Sequence, residues 1–109
     1  MIPIDLVGEA ALEVMKRAAI DIPEDFKRGI EAARKAETGK LARFVIKAMQ
    51  DNWDAASADR RPMCADTGVP RFYVKVGNEA RVESGFVAVE RALRQATADA
   101  TQQVPLRPN

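Results

Sequence analysis

Leu41-Ala42-Arg43-Phe44-Val45-Ile46-Lys47-Ala48-Met49-Gln50-Asp51-Asn52-Trp53-Asp54-Ala55-Ala56 is the clearest helix signal in the chain. Leu41, Phe44/Val45, Ala48/Met49, Trp53 and Ala56 follow the helical period over four turns, which predicts one buried stripe with Trp53 as its core anchor. Two further helices precede it. Leu6/Val7, Ala10/Ala11, Val14/Met15 and Ala18 form a stripe over residues 3–19. Asp21-Ile22-Pro23 breaks it, and Pro23 suits the first turn of a second helix reaching Glu37. Glu24 and Asp25 sit at the positive end of that helix, and Phe26, Ile30, Ala33 and Ala36 mark its expected buried side.

After Ala56 the character changes. Ser57-Ala58-Asp59-Arg60-Arg61-Pro62 is polar and ends in a helix-hostile proline. Beyond Met63-Cys64-Ala65-Asp66-Thr67-Gly68, the residues Phe72, Val74 and Val76 alternate with Tyr73 and Lys75, which is strand periodicity. Gly77-Asn78-Glu79 reads as a turn and Ala80-Arg81-Val82 as a short return strand. Ser84 is a candidate cap for a last helix with Phe86, Val89, Leu93, Ala96 and Ala100 on its apolar face. The tail from Gln102 to Asn109 reads as extended, with Pro105 and Pro108 barring a helix. The expected fold is therefore α+β and mainly α-helical: three helices, a strand or β-hairpin after the Cys64 loop, a further helix and an extended tail. A lone hairpin leaves edges that need partners, so more polypeptide is expected to follow.

Composition narrows the function. The 109 residues suit one small domain or a piece of a larger one, with 47% hydrophobic residues and 6% aromatic ones. The 17 basic and 16 acidic residues nearly cancel and are interspersed, which argues against a nucleic-acid binder. No apolar run reaches the roughly 18 residues of a membrane span, and the start lacks a secretory-signal layout. One cysteine and no histidine exclude an internal disulfide, a Ser-His-Asp triad and a Cys-His pair. A cytoplasmic location is expected.

The chemistry-bearing segment is the loop at Cys64. It places a thiol, a carboxylate and a hydroxyl within Cys64-Ala65-Asp66-Thr67, followed by a flexible Gly68. A thiolate suits a soft metal, and Asp66 could orient a substrate. Read blandly, Cys64 is a small core residue and Asp66-Thr67-Gly68 a turn. The same tripeptide occurs in retroviral-type aspartic proteases, but there it lies between strands of an all-β fold, and here helices precede it. Arg107 can fork onto a carboxylate or can be a solvated tail charge. Arg60, Arg61, Arg71 and Lys75 either raise the local potential for an acidic substrate or keep the surface soluble.

The ordered set Arg61-Pro62-Met63-Cys64-Ala65-Asp66-Thr67-Gly68 and Phe72-Tyr73-Val74-Lys75-Val76-Gly77 resembles the signature of class I fumarases and of tartrate dehydratase alpha subunits. Upstream, Leu41, Ile46, Asn52 and Ala55 fit that family's helix ending in an asparagine. Downstream, Pro105-Leu106-Arg107-Pro108-Asn109 is similar to its extended Leu-Arg-x-Asn element. The resemblance covers essentially the whole chain and implies the N-terminal portion of an iron–sulfur hydro-lyase alpha subunit, residues 1–109. It implies a four-iron, four-sulfur cluster held by three cysteines, with Cys64 as one ligand. Asp66 would serve catalysis, Asp66 and Thr67 would line the substrate side, and Arg107 would pair with a substrate carboxylate.

The implied partners are a dicarboxylate, the remainder of the alpha subunit, and a beta subunit or domain, in a homo- or hetero-oligomer. Nucleic acid and membrane are not among them. The family often has glutamine where this chain has Ala65, which leaves fumarate/malate, tartrate and a substituted malate as substrates. One thiolate does not hold a four-iron cluster, so the isolated chain is expected to be inactive and without cluster. The competing expectation is a small helical interaction module that docks through a strand edge, with Cys64 a structural residue.

Overall fold

The computed structural model describes residues 1–64 and 68–106. Among them are four helices: α1 (Ile4–Ile20), α2 (Glu24–Ala36), α3 (Lys40–Asp59) and α4 (Gly85–Gln103). The helices lie where the apolar period places them. Pro23 stands at the N-cap position of α2 with φ −59° and accepts the Lys27 amide.

The α+β expectation is corrected: no strand forms among the described residues. The alternating segment 72–76 and the return segment 80–82 do not pair as a hairpin. Instead Val82 makes one isolated parallel bridge with Ile2. The Ile2 amide donates to the Arg81 carbonyl at 2.8 Å, and the Glu83 amide donates to the Ile2 carbonyl at 2.9 Å. Alternation marks a segment able to pair, but a strand exists only with a neighbour that satisfies its backbone groups. Tyr73 is 90% exposed, and Val74 and Val76 are exposed too. The surface that the interaction-module expectation relied on, a strand edge, is therefore missing from the described residues.

Two compact units make up the chain, Met1–Arg17 with Asp66–Asn109, and Ala18–Ala65. In the first, the start of α1 lies against α4. A Cβ at Gly8 would lie 4.0 Å from that of Ala92, an ordinary contact, so the two helices are neighbours there without glycine being required. The buried residues Ala11, Val89, Ala96, Ala100 and Val104 form a core of small side chains. Ser84 occupies the N-cap position of α4 but makes no side-chain cap. It takes a left-handed conformation (φ 58°), and the Glu83 carboxylate accepts the Ile4 amide at 3.2 Å. The tail expectation is also corrected at its start. Gln102 and Gln103 continue α4, the Val104 amide donates to Ala100, and the Leu106 amide closes a turn on Thr101. The helix still stops before Pro105, as ring sterics require.

In the second unit, α2 packs on α3. Trp53 is half-buried and meets Phe26 edge to face, with centroids 5.9 Å apart and planes at 60°. The expected core stripe of α3 is corrected. Leu41 is 77% and Phe44 69% exposed, and Val45, Ala48 and Met49 are exposed as well. The less exposed side is Ala42, Ile46, Gln50, Trp53 and Ala56, one helical step round from the stripe that hydropathy alone selects. On α2, Ile30 is half-buried while Phe26, Ala33 and Ala36 are exposed.

A polar bridge ties the two helices together. Gln50 Nε2 donates to Glu31 Oε2 at 3.1 Å, and Arg34 donates to both Glu31 oxygens at 2.7 and 2.8 Å. The Arg34 bonds first, and the Gln50 bond second, hold the Glu31 carboxyl at about 2, well below its ordinary 4.5. A depressed carboxylate pKa gives stability that is complete above the unfolded value and is lost as pH falls through the folded one. Pairing of α2 with α3 should therefore weaken as pH falls from 4.5 to 2. Glu31→Gln should be less stable than the parent near neutral pH and match it near pH 2, as followed by circular dichroism melting.

Candidate functional site

The Cys64 loop is built from the end of α3. The helix terminates at Arg60, which adopts a left-handed conformation (φ 52°, ψ 45°) while its amide and that of Arg61 donate to the Ala56 carbonyl. A non-glycine residue there costs about 1 kcal/mol, so neighbouring contacts must hold it. The Arg60 guanidinium supplies one by reaching both carboxylate oxygens of Asp21 at 3.1 and 3.3 Å. Arg60 is thus a clamp at the end of α3, a part that neither the local-potential reading nor the solubility reading gave it. Arg61, Arg71 and Lys75 are exposed.

Once reversed, the chain is fastened at two further points. The Met63 amide donates to the Ala19 carbonyl at 3.0 Å. The Cys64 amide donates to Asn52 Oδ1 at 3.0 Å, and Asn52 Nδ2 donates back to the Cys64 carbonyl over a longer 3.4 Å. The Asn52 carboxamide thus takes the place of a neighbouring peptide group. At about 0.5–1.5 kcal/mol for a typical bond, with the long arm at the weak end, the pairing is comparable to the strain at Arg60. The thiol itself is exposed and free of any disulfide.

Cys64 is therefore not the small core residue of the bland reading. Asp66, Thr67 and Arg107 lie outside the described residues, as does Ala65. Among the described residues no group of three or more His, Cys, Asp or Glu side chains converges as a metal site. In the sequence Asn52 stands only at the end of the helix that resembles the family's, and nothing local marks Cys64 as its contact. A hint was available: asparagine is a poor interior helix former, yet it sits inside α3.

A family model described as fumarate hydratase (Fumerase) matches residues 8–109. The chain belongs to this family. Among its Fumerase-type relatives, a Methanocaldococcus jannaschii protein provisionally named L(+)-tartrate dehydratase subunit alpha is 33% identical over 103 residues, 94% of this chain and 36% of the relative. The L(+)-tartrate dehydratase subunit alpha of Escherichia coli K12 is 33% identical over 88 residues, 81% of this chain and 28% of the relative. The chain thus spans about a third of the length of these relatives. No helix among the described residues is long and apolar enough to cross a membrane.

An exposed thiol on a tethered loop should react without global unfolding. We expect iodoacetamide to alkylate Cys64 in the native chain within about tenfold of the rate in denaturant, because exposure largely governs access. Mass spectrometry at fixed pH measures both rates. A native rate slower by several orders of magnitude would mean that the sulfur is buried.

Proposed function

We propose that this chain is the N-terminal part of the alpha subunit of an iron–sulfur hydro-lyase. The reaction is reversible addition of water to a C4 dicarboxylate, of fumarate/malate or tartrate type. Membership of the Fumerase family over residues 8–109 carries the reading. The names of the two relatives add tartrate as a substrate class and a second subunit as a partner.

The donor chemistry of the chain fits one corner of a four-iron cluster. Its single cysteine is exposed, with its backbone fastened from Asn52, as a ligand shared with other segments has to be. Two further thiolates have to come from other polypeptide, so the chain by itself is proposed to be inactive. When bound, the cluster supplies Lewis-acid help to the departing or entering hydroxyl.

This chain's own residues bind and orient. Cys64 would hold one corner of the cluster. Asp66 is proposed to line the substrate side and serve catalysis there, with Thr67 contributing its hydroxyl or backbone. Arg107 is proposed to pair with a substrate carboxylate through its planar fork, which fixes both position and angle. Ala65 offers only a methyl where the family often has glutamine, so this position adds no hydrogen bond to the substrate, and contacts beyond Asp66, Thr67 and Arg107 are proposed to come from other polypeptide. The competing interaction-module reading needs a core cysteine, and Cys64 is exposed.

The test is Cys64→Ser in the longer protein that carries this segment, prepared without oxygen together with its candidate beta partner. Cluster absorbance and hydration of the dicarboxylates should fall together, by about 100-fold or more, beyond what loss of an outer-shell contact costs. Full activity in that variant would sink the assignment.

A further inference from the structure

We propose that Asn52 is a positioning residue for the Cys64 sulfur: by pairing with both backbone polar groups of Cys64 it fixes the direction in which the thiolate meets the cluster. This deepens the proposed function and rests on it.

The observations are the two bonds, Cys64 N to Asn52 Oδ1 at 3.0 Å and Asn52 Nδ2 to Cys64 O at 3.4 Å, with the thiol left exposed. The N–H and the C=O of Cys64 belong to successive peptide groups. Holding both therefore restrains the two torsions between them. What remains free is χ1, with three staggered positions for the sulfur. The base of the clamp is firm. Asn52 is on a regular stretch of α3, one turn before Ala56, whose carbonyl receives the amides that reverse the chain.

The side-chain requirement is narrow. The carboxamide presents one acceptor and one donor in a plane, spaced like a peptide. Aspartate has the shape, but places a second acceptor against the Cys64 carbonyl. Alanine offers neither group. A contact that only stabilised the loop would be read out in folding. A contact that aims the sulfur is read out in how firmly the metal is held, because groups that orient a ligand typically set 10–100-fold of metal affinity.

The experiment uses the longer protein carrying this segment, reconstituted without oxygen with ferrous iron and sulfide, as wild type, Asn52→Ala and Asn52→Asp. It measures iron release to a chelator, the electron paramagnetic resonance spectrum of the reduced cluster, exchange of the peptide containing Cys64, and melting temperature. Asn52→Ala should release iron about 10–100-fold faster and shift the resonance, while its melting temperature stays near wild type. The Cys64 peptide should exchange faster. Asn52→Asp should fall between the two, and it carries the test if the alanine variant does not fold. Wild-type release and resonance in the variants, from a wild type that holds its cluster, would overturn the role of Asn52 alone. A wild type that takes up no iron would overturn the ligand reading of Cys64, and this inference with it.

Discussion

The pairing of the Asn52 carboxamide with the Cys64 backbone is the contact on which the site depends. Without it, the chain leaving α3 has a left-handed Arg60 and one tether at Met63, and little to hold the next residue in place. With it, a rigid helix defines where Cys64 stands. Arg60 and Asp21 hold the reversal from the other side. The three fastenings spend polar contacts on a short exposed loop, which is the arrangement expected where a loop residue has to be presented rather than buried.

The helices carry more apolar surface than this chain uses. α1 and α3 both bear apolar doublets along their length, and in each only part of the doublet turns inward. On α1, Val7, Ala11 and Met15 are buried or half-buried, whereas Leu6, Ala10 and Val14 are exposed. On α3 the exposed set is Leu41, Phe44 and Val45. In the first unit the buried set leans on alanine and valine, so its core is made of small side chains and not of large interlocking ones.

The helices were legible in the sequence because a helix satisfies its own backbone and shows its period locally. The face each helix turns inward was less so: hydropathy marks what can be buried, not what is. Residues 72–76 form no strand for the same kind of reason, since Phe72-Tyr73-Val74-Lys75-Val76 has the alternation but no ladder partner among the described residues. Instead the bridge at Val82 goes to Ile2, eighty residues away in sequence, a pairing that no local pattern announces. The family was legible because Arg61-Pro62-Met63-Cys64 and the residues after it form an ordered set. The part played by Asn52 was not, because a spacing of twelve residues becomes a contact only once α3 ends in a reversal at Arg60.

The central claim is that the sulfur of Cys64 binds iron in the assembled protein. A crystal structure of the longer protein, purified and frozen without oxygen, tests it most directly. The account predicts continuous density from the Cys64 sulfur to an iron of the cluster, with the Asn52 carboxamide still against the Cys64 backbone. A cluster held wholly by other thiolates, with the Cys64 sulfur unbound, would contradict it.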